Sequence, residues 1–391
     1  MKIAIIGTGA TGKIIAREII NETTNLDLLL ADMNTESAAE LAAALNSERA
    51  CAITCDARNE ESLRAALEGV DLVINAAHHE MNLRVMACCL EIKAHYLDLG
   101  GLYHVTGQQV QLHADFQNAE LTAVIGMGAA PGLTNILANK LCKDFDRVES
   151  VDAYYAAHAS NQKAAGGAFT PPYSIRTLLS EFGDPSIQFV DGELREFAAK
   201  TGLERVQFPN PIGEVNCFHT LHSEPATLPG YFEDRGIRRV TWRLALPEAI
   251  ESALECFISA GLYPDDIIEV DGCKVAPVNL LSACIERNVR KSTSNIDAHQ
   301  ELGCLRVVAR GSVGKRRVES IADCVLEVEG TQENVSAEIT GRPAAAAALM
   351  VLQGDARNAG VHGPEAVVPP EAMLAALSKR SFSVSVQSQS D

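Results

Sequence analysis

The chain has 391 residues, long for one compact domain and short for three, which suggests two domains with one carrying an insertion. Hydrophobic residues make up 47% and charged residues 21%, so a sizeable core is available and global disorder is excluded. Lys and Arg number 33 against 51 Asp and Glu, a formal −18, which argues against nucleic acid and anionic membrane surfaces as partners.

The apolar stretch at 3–6 is too short for a signal peptide and glycines interrupt it at once. No uninterrupted apolar run approaches the length of a bilayer span. Eleven cysteines occur without a C-x-x-C spacing, and they read as reduced core thiols of a cytoplasmic protein. Cys51 and Cys55 lack a second ligand pair, so no metal site is expected.

In chain order, 2–6 reads as a buried strand, 13–21 as a helix, 26–31 as a second strand and 35–45 as an alanine-rich helix. Next come a strand at 52–55, a helix at 62–67, a strand at 71–75 and a helix at 82–91. A strand at 95–97, a helix at 110–118 and a strand at 123–125 complete the series. Strand and helix in strict alternation predict right-handed crossovers and an α/β, doubly wound parallel sheet. The pattern then changes. Residues 151–157, 240–246, 305–309 and 325–328 have the look of strands apolar on one face, as in an antiparallel sheet. Residues 160–173 carry too much Gly and Pro for regular structure and read as a lid or binding loop. A helix with proline in its first turn is expected at 343–352, and the polar tail after 380 is expected to have a mobile tip.

Gly7, Gly9 and Gly12 form a G-x-G-x-x-G run that leaves the first strand and opens the first helix. Gly7 permits the turn, Gly9 removes the Cβ that would block a pyrophosphate, and Gly12 lets helix and strand pack closely. Thr8, Ala10 and Thr11 complete this phosphate loop, with the helix N-terminus facing the phosphates. Asp32 ends the second strand, where its carboxylate would accept from ribose hydroxyls and repel a 2′-phosphate. No arginine adjoins it, so NAD is favoured over NADP. Asp56 either borders the adenine or caps the following helix. Asn75, Ala76 and Ala77 either admit the nicotinamide ribose or form a tight turn. Met127, Gly128 and Pro131 follow the sixth strand, where they either approach nicotinamide or substrate or act as a domain hinge.

Three further segments go beyond a generic dinucleotide fold: residues 96–101 (YLDLGG), 126–135 (GMGAAPGLTN) and 222–229 (HSEPATLP). Together they resemble the saccharopine dehydrogenase (saccharopine reductase-like) family, the first two looking most like its lysine 6-dehydrogenase members. The resemblance implies a Rossmann domain at 1–130 and an α+β substrate and dimerisation domain at 131–340. A C-terminal segment at 341–391 would return to the Rossmann half. It further implies hydride transfer at a carbon bearing an amine. The leading reading is NAD-dependent oxidative deamination at a terminal amine of a basic amino acid, as in lysine 6-dehydrogenase. A saccharopine- or carboxynorspermidine-type reductase that forms a secondary amine is the alternative, and a non-catalytic NAD-binding regulator is the rival of another class. A homodimer and a small amino-acid or polyamine-like substrate are also implied.

The residues themselves point to a reaction site. Asp98, at the carboxyl end of the fifth strand, either holds a substrate ammonium and stabilises an iminium or caps the turn made by Gly100 and Gly101. His222 and Glu224 would share one side of an extended segment and form a proton-shuttling pair, or a structural one. Arg176 either clamps a substrate carboxylate or is an exposed helix residue. Asn135 either contacts ligand or starts a helix, and His78, His79, His104 and His158 read as structural.

Overall fold

A computed structural model describes residues 1–159, 169–264, 266–292, 300–329 and 335–391. Most of the loop expected at 160–173 lies outside the described residues. The first half runs β1 (Lys2–Ile6), α1 (Ala10–Glu22), β2 (Asp27–Asp32), α2 (Thr35–Leu45), β3 (Ala50–Thr54), α3 (Glu60–Leu67), β4 (Leu72–Asn75), α4 (Asn82–Ile92) and β5 (His95–Asp98). It continues with α5 (Leu102–Val110), α6 (His113–Asn118), β6 (Thr122–Val124) and α7 (Leu133–Cys142). The helix expected at 110–118 begins only at His113 as α6, and α5, which was not expected, ends at Val110 before it.

The second half contains β7 (Arg147–Ala159), α8 (Ile175–Gly183), β8 (Ser186–Val190), β9 (Glu193–Phe197), β10 (Glu204–Gln207), β11 (Glu214–His219), α9 (Glu224–Tyr231) and β12 (Arg239–Leu244). Then follow α10 (Glu248–Ser259), a small hairpin of β13 (Ile268–Val270) and β14 (Cys273–Val275), α11 (Pro277–Ser292), β15 (Gln300–Val313) and β16 (Arg316–Glu329). The chain closes with α12 (Val335–Gln353), β17 (Gly360–His362), α13 (Pro364–Val367), α14 (Pro370–Ser378) and β18 (Phe382–Ser390).

The doubly wound sheet is parallel, in the order β17-β6-β5-β4-β1-β2-β3. Its central strands are continuous runs of buried aliphatics, such as Ile3 to Ile6 and Leu72 to Ile74, because helices cover both faces. Strand order reverses between β1 and β4, where Ile6 lies opposite Asn75. That topological switch opens a crevice at the carboxyl ends.

The second sheet is mixed, correcting the expected antiparallel one: β12 runs parallel to β7, from Arg239 beside Ser150 to Leu244 beside Tyr155. Its other pairings are antiparallel, dominated by the long β15–β16 hairpin. Every residue of β12 after Arg239 is buried, so alternation along the sequence overstated the wet face.

The C-terminal segment divides between the two sheets. β17 joins the Rossmann sheet beside β6, whereas β18 leaves it and pairs with β16 from Phe382–Leu326 to Ser390–Val318. This corrects both the mobile tip and the simple return. The alternating Ser, Val and Gln of β18 meet polar partners: the Ser320 and Ser388 hydroxyls are 2.8 Å apart, and Gln389 donates to Glu319 at 2.8 Å. Pro343 lies inside α12, eight residues past its start, and not in a first turn. Gly341 lets α12 approach α1, since a Cβ there would lie 2.7 Å from Ile14, and Arg17 clamps Glu338 at 2.8 Å. Among the described residues α12 is the one helix apolar and long enough to cross a bilayer, but 83% of that stretch is buried in the fold.

Candidate active site

The crevice at the strand ends of the Rossmann sheet opens into a cavity of about 810 Å³ bordered by both halves of the chain. Its Rossmann wall is built by the glycine loop. Gly7 has φ +94° and a Cβ there would come within 2.8 Å of the Ala77 amide nitrogen, so the backbone after β4 approaches too closely for any residue but glycine. At Gly12 a Cβ would fall 2.0 Å from the Gly7 carbonyl, while at Gly9 it would meet nothing within 4 Å. Open space thus lies over Gly9 at the start of α1, where first-turn N–H groups have no intrahelical acceptor. Gly7, Gly9, Thr11, Asp32, Asp56, Ala76 and Ala77 all border the cavity. This donor set fits the diphosphate and adenosine ribose of a dinucleotide.

Several expected contacts lie behind that wall. Thr8 is buried and gives both its N–H and its hydroxyl to Asp32 at 2.7 and 2.9 Å, so it supports the acid and does not face the ligand. Ala10 is exposed beyond the lining. Asn75 is buried against Asn82 at 2.7 Å and accepts the Ala77 N–H. Met127 and Gly128 are packed inside the turn whose outer residues, Ala129 to Pro131, form the wall. Asp56 does not cap α3, since Asn59 does. Instead it holds Arg58 through two contacts of 2.8 and 2.9 Å, and hydrogen bonds from that residue pull its carboxyl down to about 2.

Asp98 requires the largest correction. It is fully buried and does not border the cavity. Tyr96 donates to it at 2.9 Å, Gln109 at 2.5 Å, and the N–H groups of Gly100 and Gly126 at 2.9 and 2.7 Å. Burial raises its carboxyl against the pull of these four donors. With its oxygens so occupied it cannot hold a substrate ammonium, and it ties the turns after β5 and β6 together. Gly100 remains on the cavity wall, whereas Gly101 borders a smaller neighbouring pocket.

The opposite wall holds His222. It does not lie in an extended segment with Glu224, because β11 ends at His219 and Glu224 begins α9. The turn nevertheless brings His222 Nδ1 into a short hydrogen bond with Glu224 Oε2. The imidazole stacks on Trp242, with centroids 4.1 Å apart. Burial lowers the ring's proton affinity, but the charge and hydrogen bond of Glu224 and the charge of Glu181 outweigh it and raise it overall. Glu224 is buried behind the ring and does not reach the cavity. Arg176 borders both pockets, hydrogen-bonded to Asn279 and 3.7 Å from Glu80.

Two family models account for almost the whole chain. Residues 3–124 match the saccharopine dehydrogenase NADP binding domain, and residues 128–382 the saccharopine dehydrogenase C-terminal domain. The chain belongs to the saccharopine dehydrogenase family. It is an NAD(P)-dependent oxidoreductase of that family. It is 26% identical to the carboxyaminopropylagmatine dehydrogenase of Synechocystis sp., over 94% of this chain and 93% of that one. It is 24% identical to the carboxynorspermidine synthase of Vibrio alginolyticus, again over 94% and 93% of the two chains. The fold matches the apo saccharopine dehydrogenase (L-Glu forming) of Saccharomyces cerevisiae, with a TM-score of 0.70, 14% identity and 99% of each chain covered.

Residue-by-residue reading missed part of this family member's cavity wall. Glu181 is buried at the cavity and accepts a 2.5 Å hydrogen bond from Tyr173. Burial, opposed by His222 and Tyr173, pushes its carboxyl up to about 7. Tyr155 and Trp242 complete an aromatic wall, and His78 and His79, read as structural, also border the space. Glu181 gave no signal because an acid on an amphipathic helix reads as solvated face.

Proposed function

We propose that the protein forms a secondary amine by reductive condensation, joining a primary amine of a diamine or polyamine-like substrate to a short amino-acid semialdehyde. Support comes from the relatives named above, whose names describe carboxylated polyamine-like products, and they favour this alternative over terminal deamination of lysine. A dinucleotide held at the glycine loop by the N–H groups opening α1 and by Asp32 would supply the hydride for this reduction. The observation that carries the reading is the buried acid–base group on the wall facing the glycine loop: His222 on Trp242, with Glu181 beside it.

Condensation of an amine with an aldehyde needs a base to take an ammonium proton and an acid to give one to departing water. His222, raised by the acids beside it, and Glu181, pushed up to about 7, are the titratable pair on this wall available for that exchange. The aromatic side chains of Tyr155, Tyr173 and Trp242 give this part of the cavity an apolar lining. NAD is proposed as the cofactor, since Asp32 faces the cavity and Arg58 is committed to Asp56.

The test is oxidation of NADH or NADPH, followed at the nicotinamide absorbance, with a panel of diamines and agmatine each mixed with an amino-acid semialdehyde. Turnover that requires both the amine and the aldehyde is expected. Reduction of NAD by lysine alone would restore the deamination reading.

A further inference from the structure

The polar wall behind His222 continues away from the cavity. Glu224 receives the ring through Oε2, and its Oε1 accepts the Thr134 hydroxyl at 2.9 Å. The neighbouring Asn135 accepts the Gly132 N–H at 3.1 Å and donates to Thr227 Oγ1 at 3.2 Å and Glu365 Oε2 at 2.8 Å. Asn139 donates to the Glu365 carbonyl at 2.9 Å. His222, Glu224, Thr134, Asn135 and Glu365 are all buried. They come from the starts of α7, α9 and α13, so three chain-distant segments converge behind one imidazole. Gly363 leaves the room for this: a Cβ there would lie 2.4 Å from Glu365 Oε2.

We propose that Glu224 is a positioning residue, held by Thr134 and braced through Asn135 and Glu365, that fixes His222 in its Nδ1–H form and presents Nε2 to the cavity. The inference rests on the reading of His222 as the proton-transfer group. The donor inventory supports it. Glu224 Oε1 takes the Thr134 hydroxyl, and with Oε2 accepting from the ring the shared proton sits on the histidine Nδ1. The Thr134 hydroxyl lies 2.9 Å from Glu224 Oε1 and 3.2 Å from Asn135 Oδ1, which links the two acceptors through one donor, and the Asn135 amide group is directed to Glu365 and Thr227. Burial raises the Glu365 carboxyl, with the charge of Glu224 acting the same way against the hydrogen bonds of Thr227 and Asn135. The charged groups facing His222 are Glu224 from α9 and Glu181 from α8, while Trp242 from β12 contributes only its face.

The test combines nitrogen-15 histidine NMR, which reads the tautomer without substrate, with pH profiles of turnover. The wild-type protein should show an Nδ1–H signal that disappears in His222→Gln and is lost or shifted in Glu224→Gln. Glu365→Gln, which can still accept from Asn135, should retain the signal, and Glu365→Ala should broaden or move it. Glu224→Gln should lower kcat by roughly ten- to a hundredfold, with the acidic limb of the profile moved to lower pH and little change in dinucleotide affinity. An Nε2–H ring in the wild type, or an unchanged signal and pH profile in Glu224→Gln, overturns the proposal. If that variant does not fold, Thr134→Val takes its place: a moved signal supports the brace and an unmoved one overturns it. Full turnover in His222→Gln would sink the reading of the site, and the NMR signal would still decide the role of Glu224.

Discussion

Thr8 and Asp32 are joined twice: the N–H and the hydroxyl of the one meet a single carboxylate oxygen of the other, while Asn34 N–H holds the second oxygen at 2.8 Å. The acid at the end of β2 is therefore set in place before any ligand arrives, with acceptor capacity remaining on the oxygen that Asn34 touches. Preorganisation of this kind lowers the entropy lost when a ribose binds.

Asp32→Ala should weaken NADH binding by about tenfold, from the loss of a hydrogen bond to a charged acceptor, and should narrow any gap between NADH and NADPH. Fluorescence titration of both reduced cofactors checks this. Tighter NADPH than NADH binding by the wild-type protein would reverse the NAD reading.

Glu181→Gln should remove the ionisation near 7 from the pH dependence of kcat/KM and leave dinucleotide affinity unchanged. Stability should respond in a defined direction. A buried carboxyl raised from its ordinary value to about 7 favours the folded state fully below its unfolded pKa, and loses that advantage as pH rises toward 7. Thermal scans between pH 4 and 8 should therefore show the wild type losing ground to Glu181→Gln as pH increases. Parallel curves would mean that the carboxyl titrates normally.

How much of this could be read from the residues depended on how locally each feature is encoded. The glycine loop and Asp32 were legible because G-x-G-x-x-G and the acid ending the next strand lie within one βαβ unit. Asp98 was located correctly and the Gly100 N–H does reach it, as its turn-capping reading expected, but the ammonium reading failed because the donors from Tyr96, Gln109 and Gly126 appear only once β5, α5 and the turn after β6 meet. Glu181 and Trp242 face His222 from separate elements of the second half, and no spacing in the sequence records that meeting. β18 was hidden by polarity: its partner β16 lies more than fifty residues earlier, and ladder hydrogen bonds do not require apolar side chains.

Asp98→Ala should lower stability by roughly 3 kcal/mol or more, since three buried donors and the partly buried Gly100 N–H lose their acceptor. Thermal or denaturant unfolding measures it, and for a domain pair of this size the midpoint should fall by several degrees. Unchanged stability with abolished turnover would return Asp98 to the chemistry.

The three fingerprint glycines should fail in different ways when replaced by alanine. Gly12→Ala places a methyl 2.0 Å from the Gly7 carbonyl, a contact no side-chain motion can relieve because a Cβ has no rotamer of its own and its partner is backbone. α1 must move off β1, and the apolar interface of Ile15 and Ile19 with the sheet moves with it. The unfolding midpoint should drop clearly, with cofactor binding weakened as a consequence. Gly9→Ala meets no protein atom within 4 Å and replaces glycine at the helix start, so the unfolding midpoint should stay near that of the wild type. The added methyl would stand in the space over α1 where the pyrophosphate must approach its N–H groups, and dinucleotide affinity should fall by about tenfold or more. Paired measurements of unfolding and NADH titration separate the two variants. Normal NADH affinity in a stable Gly9→Ala protein would show that the diphosphate does not lie over this glycine.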